Sequence, residues 1–250
     1  MHPSGEQYEL RFGEAHAVAV EVGGGLRSWD GVLLGYTEDE TASAGRGQVL
    51  APWPNRLAEG RYEWDGQELQ LPLTEPSSGS AIHGLVRWMP WRAVEREPAR
   101  VVMEHVLHPQ PGYPFTLRLR VDYRLSEPGL VVRTTAENGA QAAPFGIGHH
   151  PYLLGPVDEL GIDGTPLRGR QLDETWHRPG GWRIPVGAVT VWADASWPWL
   201  QVFTGDLPDV ARRGLAVEPM TCPPQALRTG QDVIRLEPGE TFSGEWGIEV

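Results

Sequence analysis

The sequence predicts an all-β protein, a large antiparallel β-sandwich with few or no helices, and three observations carry that reading. Residues 115–125 alternate strictly, with Phe115, Leu117, Leu119, Val121, Tyr123 and Leu125 set against Thr116, Arg118, Arg120, Asp122 and Arg124. A period of two is what a strand with one buried and one wet face requires. The 31 glycines and 23 prolines exceed average usage and are spread along the chain as turn punctuation. Between those breakers no segment keeps an i, i+3, i+4, i+7 apolar stripe over three turns, so a helix would have no face to bury.

In chain order, strands are expected at 17–22, 61–64, 67–71, 101–107, 115–125, 130–137, 189–193, 200–203, 215–218 and 241–249. Asp65-Gly66 reads as a two-residue hairpin turn between the second and third, because both residue types tolerate positive φ. Glu127-Pro128-Gly129 makes a hairpin of 115–125 and 130–137. Residues 154–187 are the least regular and read as a long loop. Two stacked sheets in a single domain, 1–250, accommodate the pattern, and a chain of this length supports a core without disulfide or metal staples.

The formal charge of −12 comes without any basic cluster, so nucleic acid and anionic membranes are poor partners and a neutral small molecule is the easier one. No uncharged apolar run is long enough to span a bilayer. The N-terminal stretch is interrupted by Glu6, Glu9, Arg11, Glu14 and His16 and lacks the apolar region of a secretory signal. The lone Cys222 has no partner within the chain. A cytoplasmic protein is the expectation. Of the eleven tryptophans, most read as core rather than as platforms for a sugar ring.

Three segments are too polar and too Pro-rich for ordinary strands, yet each holds a titratable group among apolar neighbours. They are Ala81-Ile82-His83-Gly84-Leu85, Gly146-Ile147-Gly148-His149-His150-Pro151-Tyr152 and Ala216-Val217-Glu218-Pro219-Met220-Thr221-Cys222-Pro223-Pro224. Trp53-Pro54-Asn55-Arg56 adds a guanidinium after two prolines. Buried ionisable groups are costly unless paired or facing a cleft. Singly, His83 is a structural histidine, Glu218 a turn cap or a partner for Arg56, and His149-His150 a solvated pair. Together, one Glu and one His make a general base and a general acid. A metal is the rival use of these residues, but neighbours on an extended chain face opposite ways, so His149 and His150 are poorly placed for one ion. HxH and HExxH spacings are missing, as are G-x-S-x-G and a Gly-rich phosphate loop.

At these same segments the chain resembles the aldose 1-epimerase (galactose mutarotase-like) family. The resemblance rests on Pro52-Trp53-Pro54-Asn55-Arg56 followed by Gly60-Arg61-Tyr62, on Ala81-Ile82-His83-Gly84-Leu85-Val86-Arg87-Trp88, on His149-His150-Pro151-Tyr152, and on Val217-Glu218-Pro219-Met220-Thr221-Cys222-Pro223-Pro224. It implies a galactose mutarotase-like supersandwich with a cleft on one sheet. It implies Glu218 as general base and His150 as general acid, since His150-Pro151-Tyr152 fits the family's His-x-Tyr. His83 and Arg56 match positions that hold sugar oxygens, and Tyr152, Trp88 and Asp173 complete the implied binding set. The family's substrate-binding Asp falls on Leu172-Asp173-Glu174-Thr175-Trp176, with Trp in place of Phe, after a shorter stretch than usual.

The expectation is a cofactor-free, metal-free mutarotase acting on a free aldohexose such as glucose or galactose, as a monomer or homodimer. The alternatives are a hexose-6-phosphate mutarotase, for which Arg56 and Arg87 would have to form the phosphate pocket, and a non-catalytic carbohydrate-binding β-sandwich.

Overall fold

A computed structural model describes residues Met1 to Val250, and its architecture is all-β with antiparallel sheets. Helical structure amounts to one short α-helix, Ala226–Thr229, and two 3-10 turns. No helix is long and apolar enough to cross a membrane.

The nine-stranded sheet runs Thr165–Pro166, Gly161–Ile162, Trp182–Val186, Val189–Ala193, Thr241–Glu249, Gly129–Asn138, Leu117–Ser126, Arg100–Leu107, Arg92–Glu97. Its central hairpin is the one expected. Leu117, Leu119, Val121, Tyr123 and Leu125 are buried, while Arg118, Arg120 and Arg124 on the other face are exposed. Each such burial contributes about 1.5–3 kcal/mol, which is why a one-residue slip of register is prohibited.

The six-stranded sheet has the order Asp173–His177, Trp199–Phe203, Gly214–Met220, Gly148–His149, Val49–Leu50, with Tyr152–Leu154 also pairing with Gly214–Met220. Leu200, Val202, Leu215 and Val217 point inward and join the side chains of the large sheet in one cluster of 52 buried residues. The alternate positions, Gln201, Phe203, Glu218 and Tyr152, therefore face away from that core, and they line a cleft.

A three-stranded sheet of Gln7–Phe12, Ala15–Val20 and Leu26–Trp29 and three two-stranded pairs, one of them Ala143–Phe145 with Ile234–Leu236, complete the molecule. Arg61–Trp64 pairs with Gln67–Gln70 through Asp65 and Gly66, both at positive φ as the turn demands. Arg56–Ala58 pairs with Ser80–Ile82.

Two expectations are corrected. Residues 154–187 are not a loop: they contain Asp173–His177 and Trp182–Val186. The second of these alternates Trp182, Ile184 and Val186 inward with Arg183 and Pro185 outward. Pro185 disguised it, but the strand is paired along its length on one side only, where a missing N–H is tolerated. Likewise the strand expected at 215–218 is present but runs on through Pro219 as Gly214–Met220, buried throughout. Its far edge is paired only at Gly148 and at Tyr152–Leu154, so Pro219 lies beside a gap in the ladder.

Candidate active site

The cleft has a volume of about 350 Å³, within the range of roughly 300–1,000 Å³ usual for small-molecule sites. All seven residues singled out in the sequence line it: Arg56, His83, Trp88, His150, Tyr152, Asp173 and Glu218. They come from five separate stretches of chain, so their meeting is a property of the sheet register.

Glu218 and His150 form its floor. His150 Nε2 lies 3.4 Å from Glu218 Oε1, and both side chains are buried. Glu218 Oε2 and His150 Nδ1 have no protein partner. Burial, reinforced by the charge of Asp173 and opposed by Arg56, pushes the Glu218 carboxyl well above its usual range. Burial likewise lowers His150 to about 3, with nearby Arg87 acting in the same direction. Both shifts favour a pair that shares one proton without net charge. The His150 ring stacks on Tyr152, with centroids 5.0 Å apart and planes at 12°. Tyr152 OH is occupied by Ala44 O at 3.1 Å, so this tyrosine orients the imidazole. Gly45 packs so closely that a Cβ there would stand 2.5 Å from His150 Cδ2.

His149 points the other way, as expected for neighbours on an extended chain. Its Nε2 meets Thr134 Oγ1 at 2.9 Å, and its ring packs against Trp197 and Trp246. Nowhere are three His, Cys, Asp or Glu groups gathered as a metal ion would need.

His83 is held from the adjacent hairpin. Its backbone N–H donates to Asn55 O at 2.9 Å, and the Asn55 N–H donates to His83 Nδ1 at 3.2 Å. A ring nitrogen that accepts is unprotonated, so the neutral imidazole carries its proton on Nε2 as a donor. Burial, with His150, Arg87 and Arg56 nearby, keeps this histidine neutral by lowering its pKa well below 6.5. His83 has φ 62°, and Gly84 follows at φ 70° where a Cβ would strike Ala51 O at 2.0 Å.

Arg56 is clamped by Glu75, which accepts from Nε at 2.6 Å and from Nη2 at 2.9 Å, and Asp173 Oδ2 lies 3.9 Å from its Nη1. These hydrogen bonds hold Glu75 below the usual carboxylate range. Asp173 Oδ1 accepts from Gln201 Nε2 at 2.6 Å, and Gln201 is paired in register with Glu218. Trp88 is about half exposed at the cleft edge, whereas Trp29, Trp53, Trp91, Trp182, Trp197 and Trp246 are core.

Sequence reasoning missed Glu75 and Gln201. Gln201 left a signal, a polar residue at an alternate position of an apolar strand. Glu75 left none, since only the fold sets it against Arg56.

Residues 6–177 match the family model described as Aldose 1-epimerase. The chain is 36% identical over 284 residues to the Uncharacterized protein YihR of Escherichia coli (strain K12), covering 96% of this chain and 92% of that one. It is 31% identical over 134 residues to the galactose mutarotase of Homo sapiens, covering 49% of this chain and 36% of that protein. Among solved structures, the GalM/aldose epimerase homologue from C. elegans superposes with a TM-score of 0.83 over 98% of each chain. At 14% identity, that likeness is one of fold.

Proposed function

The chain belongs to the aldose 1-epimerase family, and from that premise we propose that it interconverts the α and β anomers of a free aldose by acid–base ring opening and reclosure. The observation that carries the reading is the buried contact between His150 Nε2 and Glu218 Oε1 at 3.4 Å. A cyclic aldose is a hemiacetal, and opening it needs a proton taken from O1 and one delivered to the ring oxygen.

The shared proton first passes from Glu218 to His150 across their contact; Glu218 as carboxylate then accepts the O1 proton and His150 as imidazolium delivers its proton to the ring oxygen. Burial makes that carboxylate a stronger base and that imidazolium a stronger acid, so both shifts assist the transfers. Once both protons have moved, Glu218 is a neutral acid and His150 a neutral imidazole, the form that a dry site favours, while the sugar is open. Rotation about C1–C2 and reclosure on the other face return the protons. The pair ends with the proton count it began with, and no cofactor is consumed.

His83 Nε2–H and the Arg56 guanidinium supply donors for sugar hydroxyls, and Asp173 an acceptor. Trp88 supplies an apolar face for the C–H patch of a pyranose. The test is polarimetry on freshly dissolved α-D-glucose and α-D-galactose. Relaxation faster than the buffer rate is expected, and a rate equal to the buffer blank for both sugars would remove the proposal.

A further inference from the structure

Among the charged groups of the cleft, Arg87 stands apart. Arg56 is served by Glu75 and Asp173, Asp173 by Gln201, and Glu218 by His150. The Arg87 guanidinium has no hydrogen bond and no ion pair within the protein: Glu75, already bonded to Arg56, acts on it only through space, and the Trp88 ring centre lies 5.5 Å from Cζ. Arg96, Arg168, Arg170 and Arg228 also lack hydrogen-bond and ion-pair partners for their side chains but are solvent-exposed, whereas Arg87 is partly buried against the site. A partly dehydrated guanidinium without an acceptor is costly, and hydroxyl groups compensate it less well than a carboxylate or a tetrahedral oxyanion.

Its placement is also fixed. The Arg87 carbonyl accepts from Gln48 Nε2 at 3.0 Å, and Gly23 packs so tightly that a Cβ there would lie 2.5 Å from that oxygen. The side chain thus starts from a pinned backbone, stacks beside Trp88 and reaches the wall shared with His83 and His150.

We propose that Arg87 selects an aldose bearing an anionic substituent, its two-pronged donor edge receiving a carboxylate or phosphate oxygen pair while C1 lies at Glu218 and His150. This deepens the mutarotase reading and rests on it. The negative charge could be the carboxylate of a uronic acid or a phosphate ester, and the two are separated by experiment.

Anomer exchange at equilibrium is measured by NMR for D-glucose, D-glucuronate and D-glucose 6-phosphate with the wild-type protein, Arg87→Gln and Arg87→Lys. At least one charged sugar should exceed glucose in kcat/KM by about tenfold or more in the wild type, and added salt should reduce that advantage. Arg87→Gln should lower the charged-to-neutral ratio by at least about tenfold, and Arg87→Lys, which keeps the charge and loses the fork, should restore part of it. Whichever charged sugar wins identifies the anion.

Neither charged sugar surpassing glucose, or a ratio unmoved by Arg87→Gln, overturns the proposal. If Arg87→Gln does not fold, the salt dependence of the wild-type ratio and the Arg87→Lys variant decide it. If no sugar exchanges faster than in buffer, the mutarotase reading fails instead. Calorimetric binding of the two charged sugars then decides the role of Arg87: binding lost in Arg87→Gln supports it, and no binding or unchanged binding overturns it.

Discussion

Glu218→Gln separates chemistry from structure at the cleft floor. The substitution keeps the volume of a side chain that is 2% exposed and keeps an oxygen to face His150 Nε2. It removes the ability to accept a proton. Loss of a positioned general base costs roughly 10²–10⁴-fold, so turnover should fall by at least about 10²-fold while sugar affinity changes by a small factor.

Stability supplies a second readout. Burial holds the Glu218 pKa above its usual 4.5, so above that pH the folded state keeps a proton that the unfolded chain releases. The Glu218 contribution to stability therefore declines as pH rises from 4.5 towards the folded pKa, by about 1.4 kcal/mol per unit. The buried histidines contribute in the opposite direction below 6.5, so the readout is the difference between variant and wild type. Gln does not titrate, so the variant loses this slope and should equal or exceed the wild type at pH 7. Were the floor instead a carboxylate–imidazolium pair at rest, removing one member would destabilise by roughly 3–5 kcal/mol. Denaturant melts at pH 5 and pH 7, paired with polarimetric turnover, distinguish these cases. Retained turnover refutes the assignment of the base, and a loss of several kcal/mol at pH 7 refutes the neutral resting pair.

The pH profile of turnover should be broad, because burial lowers His150 to about 3 and raises Glu218, widening the interval over which the pair holds one proton. An acid limb near 6.5 would contradict this. Asp173→Ala should weaken sugar affinity modestly and, by removing a charge that adds to the effect of burial on Glu218, move the alkaline limb to lower pH. A fall in turnover as deep as that of Glu218→Gln would instead put Asp173 in the chemistry. His149, lowered to about 3 by burial, remains neutral in the folded state while the unfolded chain takes up a proton below about 6.5. Stability is therefore lost as pH falls from 6.5 towards 3, and His149→Gln should remove about 2 kcal/mol of that loss between pH 6.5 and 5, read from denaturant melts. Dialysis against EDTA should leave mutarotation unchanged; activity restored by one divalent ion would overturn the metal-free reading.

Much of this was legible in one dimension. The strand Leu117–Ser126 buries its odd positions because the pleat forces alternate side chains to opposite faces, a rule that acts within the strand itself. The turn at Asp65-Gly66 follows from the positive φ those residues tolerate. The motifs around His83, His150 and Glu218 were visible as ionisable groups in apolar, Pro-flanked stretches. The alternation of Trp182–Val186 was present as well, but Pro185 obscured it and the stretch was read as loop.

What no local rule could supply was the meeting of these parts. Gln201 sits beside Glu218 because Trp199–Phe203 and Gly214–Met220 pair in that register. Asp173 joins them because Asp173–His177, read from sequence as loop, is the next strand outward. Glu75 clamps Arg56 across 19 residues, and Arg87 in the same cleft is left with no carboxylate bonded to it. The residue types and their periodicity determined which side chains could turn away from the core. Only the non-local pairing of strands decided which of them share a wall, since pairing energy depends on contacts between segments that are distant in sequence. The shifts at Glu218 and His150 likewise belong to the fold, because dehydration is a property of the assembled surroundings and not of a side chain alone.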